Sequence, residues 1–193
     1  MKTVLFFSNN QNKIKEVKKF FINKQIKILS LNDFPKINSP KETGKGFAEN
    51  AKIKSRYGFH KFGIPCFGDD SGICIGALNN KPGIHSKKFL EKFPNKNQAF
   101  KYIIKKTKLL NNTSAYFETS ICLTLKYSHH IIFRGKISGY IVKKQLGLNG
   151  FGYDPLFIPN GYEKTFAQMN LNQKNNISHR GLALAKLKSF LTN

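Results

Sequence analysis

The stretch Gly68-Asp69-Asp70-Ser71-Gly72 sets two carboxylates side by side between glycines, with Cys66-Phe67 before it and Ile73-Cys74-Ile75 after it. Adjacent carboxylates repel each other, and the chain holds only 10 acidic residues against 33 Lys and Arg. Keeping two acids together therefore calls for a cation or a strong set of donors. A divalent metal on oxygen ligands is one chemistry this pattern serves. A tight turn between two strands is the other, because Asp, Ser and Gly supply turn geometry for purely local reasons.

Four further stretches put polar groups where packing alone would not ask for them. Ser8-Asn9-Asn10-Gln11-Asn12-Lys13 follows the apolar run Thr3 to Phe7 and precedes Ile14, Val17, Phe20 and Phe21 at helical spacing. Such a strand, polar loop and helix aims backbone N–H groups and the positive helix end at a guest, for which a phosphate is suited. The glycines of a P-loop are missing, and the plainer reading is an Asn-rich connector in which Asn12 caps the helix. Phe47, Ala51, Lys54 and Gly58 share one face of a helix predicted over Phe47 to Gly58, where Lys54 either snorkels to the rim or meets a buried anion, with Glu42 in the preceding loop. The remaining two stretches are the glycine-framed Phe151-Gly152-Tyr153-Asp154, and Lys174 with His179-Arg180. Together the five describe a nucleotide: metal on carboxylates, phosphates on Lys and loop N–H groups, and a base beside aromatic rings with polar groups at its edge.

The elements that must hold these groups alternate between strand and helix. Ile26 to Ser30 reads as a second strand, and Phe100 to Leu110 as a helix. Phe117, Ile121, Leu123, Leu125 and Tyr127 alternate with polar residues, which predicts a half-buried strand. A turn at Ser128-His129-His130 joins it to a second strand over Ile131 to Val142 as a long hairpin. Leu156 to Ile158 is strand-like, and Ile177-Ser178-His179-Arg180-Gly181 opens a last helix with Leu182, Ala185, Leu187 and Leu191 facing inward. No repeat or linker divides the 193 residues, which fit one domain over 1–193.

A hydrophobic content of 40% argues for a folded chain rather than a disordered one. No apolar run is long enough to span a bilayer, and Met1 to Phe7 is too short for a signal segment, so a soluble, cytoplasmic protein is expected. Cys66, Cys74 and Cys122 are odd in number and lie in apolar stretches, as reduced core thiols do. The formal charge of +23 favours anionic partners, but the lysines are spread along the whole sequence.

Five ordered motifs resemble the inosine triphosphate pyrophosphatase family, which acts on non-standard purine nucleoside triphosphates. They are Ser8-x-Asn10-x-x-Lys13; Glu42-Thr43-Gly44 with Phe47-x-Glu49-Asn50-Ala51; Asp69-Asp70-Ser71-Gly72; Asn149-Gly150-Phe151-Gly152-Tyr153-Asp154-Pro155-Leu156-Phe157; and Ile177-Ser178-His179-Arg180-Gly181. The resemblance covers essentially the whole chain. It implies an elongated α/β protein, a mixed sheet with two lobes flanking a central nucleotide-binding cleft, assembled as a homodimer. The implied reaction is Mg²⁺-dependent hydrolysis of ITP, dITP and XTP to the monophosphate and pyrophosphate, removing these nucleotides from the pool. Position by position, Asp70 resembles the proton acceptor and a metal ligand, and Glu42 a second metal ligand. Ser8, Asn9, Asn10, Gln11, Asn12, Lys13 and Lys54 resemble the phosphate cradle, with Ser71 touching substrate. Phe151, Gly152, Tyr153, Asp154, Lys174, His179 and Arg180 resemble the base pocket. The chain departs from the family at Ser86-Lys87-Lys88-Phe89, where Ser-Ala-Arg-Tyr is usual, and at Lys41, where many members carry an acid.

Two rival readings compete, one from another class and one from a related enzyme. A non-enzymatic nucleic-acid binder would exploit the positive charge, but aromatics are not interleaved with the basic residues along the chain, and nucleic-acid binding is not expected. A Maf-like pyrophosphatase of other base specificity would share the fold, and Ser178-His179-Arg180 argues against it.

Overall fold

The structure is a computed structural model and describes residues 2–22 and 25–192. It is of mixed α/β class. In chain order the elements are β1 (Lys2–Phe6), α1 (Gln11–Phe20), β2 (Ile26–Ser30), α2 (Phe47–Phe62), β3 (Cys66–Ile75), β4 (Lys81–Pro82), α3 (Ser86–Glu91), α4 (Lys96–Leu109), β5 (Ser114–Lys126), β6 (His129–Ile141), β7 (Phe157–Pro159), α5 (Leu171–Ile177) and α6 (His179–Thr192). Strand neighbours follow the order β2-β1-β3-β5-β6-β7, with β4 on β3. The chain forms two compact units, one from residues 1–70, 119–135 and 180–193 and the other from 71–118 and 136–179.

In the first unit β1 pairs in parallel with β2 and with the start of β3, each parallel connection being made by a helix. Its core joins Val4 and Phe6 of β1, Ile14 and Val17 of α1, Phe67 of β3 and Leu184, Leu187 and Leu191 of α6. Phe6 and Phe67 stack with ring centroids 4.8 Å apart. In the second unit β4 lies antiparallel to the end of β3 and β7 antiparallel to β6, around a core of Ile73, Ile75, Phe100, Ile103, Phe117, Phe157 and Phe166.

Several expectations shift by a turn or a face. Helix α1 begins at Gln11, three residues before the apolar spacing starts, because Asn10 rather than Asn12 is its cap: Asn10 Oδ1 accepts from the N–H groups of Asn12 and Lys13. The acidic doublet is no turn; Asp69 and Asp70 sit inside the ten-residue strand β3. Strand β5 is buried on both faces from Thr119 to Thr124, so its polar alternation does not mark solvent. His129 and His130 belong to β6, and the turn contracts to Tyr127-Ser128, a loop length that suits the twist of neighbouring strands. In α6 the inward face is Ala183, Leu184, Leu187 and Leu191, with Leu182 37% exposed and Ala185 also exposed. Arg180 is buried, and residues three or four apart share a helix face, so burying Arg180 turns Leu184 inward and Leu182 out. The three cysteines are free and buried.

Candidate active site

The acidic centre lies in the first unit and is built by one close approach. At Gly68 an added Cβ would stand 2.6 Å from Lys54 Cβ and 2.9 Å from the Ala51 carbonyl, so only glycine lets β3 run this near α2. That approach sets Lys54 against the doublet. Its Nζ donates to the Asp69 carbonyl at 2.9 Å, pairs with Glu42 Oε2 at 3.0 Å and lies 3.7 Å from Asp70 Oδ1. The lysine on the small-residue stripe of α2 therefore meets anions. Asn50, one turn earlier, donates from Nδ2 to Asp70 Oδ2 at 3.0 Å while its Oδ1 accepts the Gly44 N–H at 2.8 Å. One amide thus orients the carboxylate and ties down the loop that carries Glu42.

The two adjacent acids have opposite electrostatics. Asp69 accepts from Lys13 Nζ at 3.0 Å and from Arg180 Nε at 3.1 Å, and Arg180 Nη1 pairs with Glu16. Burial alone would raise the Asp69 carboxyl, but the charges of Lys13, Arg180 and Lys54 overcome it and hold the group well below the usual range. At Asp70 burial is the largest influence and wins over Lys54 and Lys13, so its carboxyl is pushed up. Lys13 is lowered by burial, partly offset by Asp69. Arg180 is raised, since Glu16 and Asp69 outweigh its burial. Asp69 is therefore a fixed counter-ion, and Asp70 is the acid that is costly to ionise and able to take a proton. Four of the ten acids, Glu16, Glu42, Asp69 and Asp70, gather here in a chain of charge +23.

The Ser8 to Lys13 loop leads into α1 beside this centre. Ser8 Oγ accepts the Asn10 N–H at 3.2 Å, Asn9 donates to Ser39 Oγ at 2.8 Å, and Gln11 exchanges bonds with Asn32. Two N–H groups of the first turn are thus capped by Asn10, and Lys13 supplies the charge. Arg180, expected with the base pocket, pairs here with Glu16 and Asp69. Glu16 is not singled out by the sequence, and Asn50 enters there only as a motif residue without a role. Glu16 could have been, as the lone acid of a lysine-rich helix one turn on from Lys13.

The second unit gathers the other expected group. Lys174 comes from α5, whose first turn is closed by an Asn170 and Gln173 capping box. Its ammonium meets Asp154 Oδ2 at 2.6 Å and lies over the Phe151 ring at 4.8 Å and the Phe166 ring at 5.6 Å. Asp154 Oδ2 also accepts the Phe151 N–H at 2.7 Å, which closes the glycine-framed turn on itself. His179 stacks on Phe117 at 4.6 Å with the rings 9° from parallel. The Tyr153 hydroxyl donates to the Ser86 carbonyl at 2.8 Å, and Ser86 Oγ accepts the Ile73 N–H at 2.9 Å. Ser71 is half-buried. Lys174 and Asp154 are both nearly free of solvent, and each neutralises the other's buried charge. Buried donors next to flat aromatic surface are what an oxygen-bearing planar ring requires.

Comparison with known proteins supplies the lineage. A dITP/XTP pyrophosphatase of Flavobacterium psychrophilum is 40% identical over 190 residues, 98% of this chain and 99% of that protein. One from Christiangramia forsetii is 36% identical over 189 residues, 98% of each. Among solved structures, a HAM1 protein from Coxiella burnetii superposes with a TM-score of 0.87 at 33% identity, over 100% of this chain and 99% of that one. The Staphylococcus aureus Ham1 protein gives 0.82 at 34% identity, over 99% and 98%. The model of the Ham1 family matches residues 4–190, so the chain belongs to the Ham1 family.

Proposed function

We propose that the protein is a nucleoside triphosphate pyrophosphatase that hydrolyses ITP, dITP and XTP between the α- and β-phosphates, giving the monophosphate and pyrophosphate. The observation that carries this reading is the divided doublet: Asp69 neutralised by Lys13 and Arg180, and Asp70 buried, raised and faced by Lys54. Asp70 takes the proton of the attacking water. Lys54 and Lys13 stabilise the negative charge that grows on the phosphate oxygens and the leaving pyrophosphate, with Ser8 to Asn12 and Ser71 as further hydrogen-bonding groups. Arg180 and Glu16 hold Asp69 in place, so Arg180 acts here through the acidic pair.

The donor set suits magnesium. Glu42 and Asp70 converge on the same ammonium, and among the described residues no group of three or more His, Cys, Asp or Glu could hold a metal. Magnesium commonly takes one or two protein carboxylates and completes its shell with water and substrate phosphate. Glu42 and Asp70 would hold the ion, which when bound draws charge from the phosphate oxygens.

The base is read in the second unit. Phe151, Gly152, Tyr153 and Asp154 form the turn beside it, and Lys174 with His179 supplies donors. A 6-oxo purine offers an acceptor there, whereas adenine sets an amino donor against these donors, a mismatch of about 1–3 kcal/mol. The protein works in the cytoplasm as a homodimer. No described helix is long and apolar enough to cross a membrane.

A panel of ITP, dITP, XTP, GTP and ATP with Mg²⁺, read by pyrophosphate release, tests the assignment. The 6-oxo substrates lacking the 2-amino group should lead ATP by about 5- to 150-fold in kcat/KM, the range that about 1–3 kcal/mol gives, and EDTA should abolish turnover. Equal rates on ATP, or full activity in EDTA, would overturn it.

A further inference from the structure

Along α2, within the first unit, runs a groove of about 780 Å³ lined by Lys52, Arg56, His60, Lys61, Tyr57 and Tyr127 among others, and by none of the residues assigned to hydrolysis. Lys52, Arg56 and His60 recur at every fourth position of the helix, so successive side chains stand about 6 Å apart along one line. Lys52 and Arg56, two like charges at that spacing, repel. None of Lys52, Arg56, His60 and Lys61 makes an ion pair among the described residues, and the one carboxylate lining the groove, Glu49, accepts the Lys45 N–H. His130 titrates below its ordinary range, through burial first and then the charges of Lys52, Arg56 and His129, which shows the same positive field from the strand side.

Aromatic surface is interleaved with this row. Tyr127, from the turn after β5, is 68% exposed and stands at right angles to Phe59 and His60, with centroids 5.6 and 5.9 Å away. Tyr57 carries Lys61 Nζ at 5.8 Å from its ring. The linear sequence hides this alternation because Tyr127 is remote from α2 along the chain.

We propose that this groove binds single-stranded nucleic acid, with backbone phosphates on Lys52, Arg56 and Lys61 and bases against Tyr127 and Tyr57. Cations spread along a groove, Lys52 and Arg56 one turn apart and Lys61 further along the helix, suit a repeating phosphate chain, whereas a lone phosphate is held by groups that converge on one point. The exposed Tyr127 ring, with half-buried Tyr57 at the groove wall, offers the flat surface on which unpaired bases stack.

The test is fluorescence anisotropy of a fluorescein-labelled dT12 oligonucleotide across a KCl series. Three engaged phosphates give a log–log salt slope of about −2. Lys52→Gln with Arg56→Gln should weaken binding at least tenfold and reduce the slope by about 1.4. Lys105→Gln with Lys108→Gln, which removes the same charge from α4, should change neither appreciably. Tyr127→Ala should weaken binding about tenfold and Tyr127→Phe restore it. Circular dichroism melting confirms that each variant is folded. Equal losses in the two double variants would reduce the effect to bulk charge and overturn the proposal. So would no binding by the wild type, or a change of sedimentation in Lys52→Gln with Arg56→Gln at unaltered oligonucleotide affinity, which would make the groove an interface between copies.

Discussion

Replacing each acid of the doublet by its amide should have opposite consequences for stability and activity. In Asp70→Asn the new side chain keeps an oxygen for the Asn50 amide, now 3.0 Å from Asp70 Oδ2, and Lys54 keeps Glu42 at 3.0 Å and the Asp69 carbonyl at 2.9 Å. What disappears is a charge that the fold disfavours, since burial raises this carboxyl. A group whose pKa is higher folded than unfolded costs stability once pH rises through the folded value. At pH 7 Asp70→Asn should therefore be as stable as the wild type or more so, and this gain should vanish below about pH 3.8, the ordinary Asp value, where both states are protonated. In Asp69→Asn the reverse holds. Lys13 and Arg180, bonded at 3.0 and 3.1 Å, lose the carboxylate that neutralises them inside the protein. Removing one partner from a buried ion pair costs about 3–5 kcal/mol, a large part of the roughly 5–15 kcal/mol that holds a typical domain. Urea unfolding at pH 7 measures both, and pyrophosphate release measures activity. Asp70→Asn should lose about 10²–10⁴-fold in kcat at full stability, the usual range for a lost general base. If Asp70→Asn were destabilised by more than about 2 kcal/mol while Asp69→Asn unfolded like the wild type, the assignment of roles within the doublet would be refuted.

In the metal-free protein the Asp70 carboxyl should titrate above 3.8, because burial raises it, and a ¹³C nuclear magnetic resonance titration reads this directly; a value below 3.8 would remove the argument from burial. Asp69, depressed in the fold, contributes stability that is present above 3.8 and lost as pH falls through its folded value, so urea midpoints should drop on strong acidification in the wild type and less in Asp69→Asn. Gly72→Ala places a Cβ 2.0 Å from the Gly83 carbonyl and 2.5 Å from Ser86 Oγ, and should cost about 1–3 kcal/mol in thermal unfolding. Lys174→Met should cost about 3–5 kcal/mol by stranding Asp154, and adding Asp154→Asn should return part of it, which a double-mutant cycle reads directly.

Much of this was legible in the sequence because it is local. The β2 bounds and the Phe47 start of α2 follow from apolar spacing, and the odd lysine on the α2 stripe left two outcomes, the rim or a buried anion, of which the structure shows the anion. What stayed hidden is tertiary. Nothing local tells a doublet in a turn from one inside a strand; here Gly68 is needed for contact with α2 rather than for a turn. From Thr119 to Thr124 strand β5 is covered on both faces, so over that stretch its polar alternation suggested a solvent side that does not exist. The inward face of α6 is fixed by burying Arg180 against Glu16, a pairing across most of the chain that no spacing rule reaches. Helix α5, which delivers Lys174, is short and polar and rests on its cap rather than on an apolar stripe.

The central claim is that a water attacks the triphosphate so that pyrophosphate leaves intact. ³¹P nuclear magnetic resonance of the purified protein with XTP and Mg²⁺ reads the products directly. Xanthosine monophosphate and pyrophosphate should appear in equal amounts, and at least about a hundredfold more slowly in Asp70→Asn. Xanthosine diphosphate with orthophosphate, or unchanged XTP, would contradict the account.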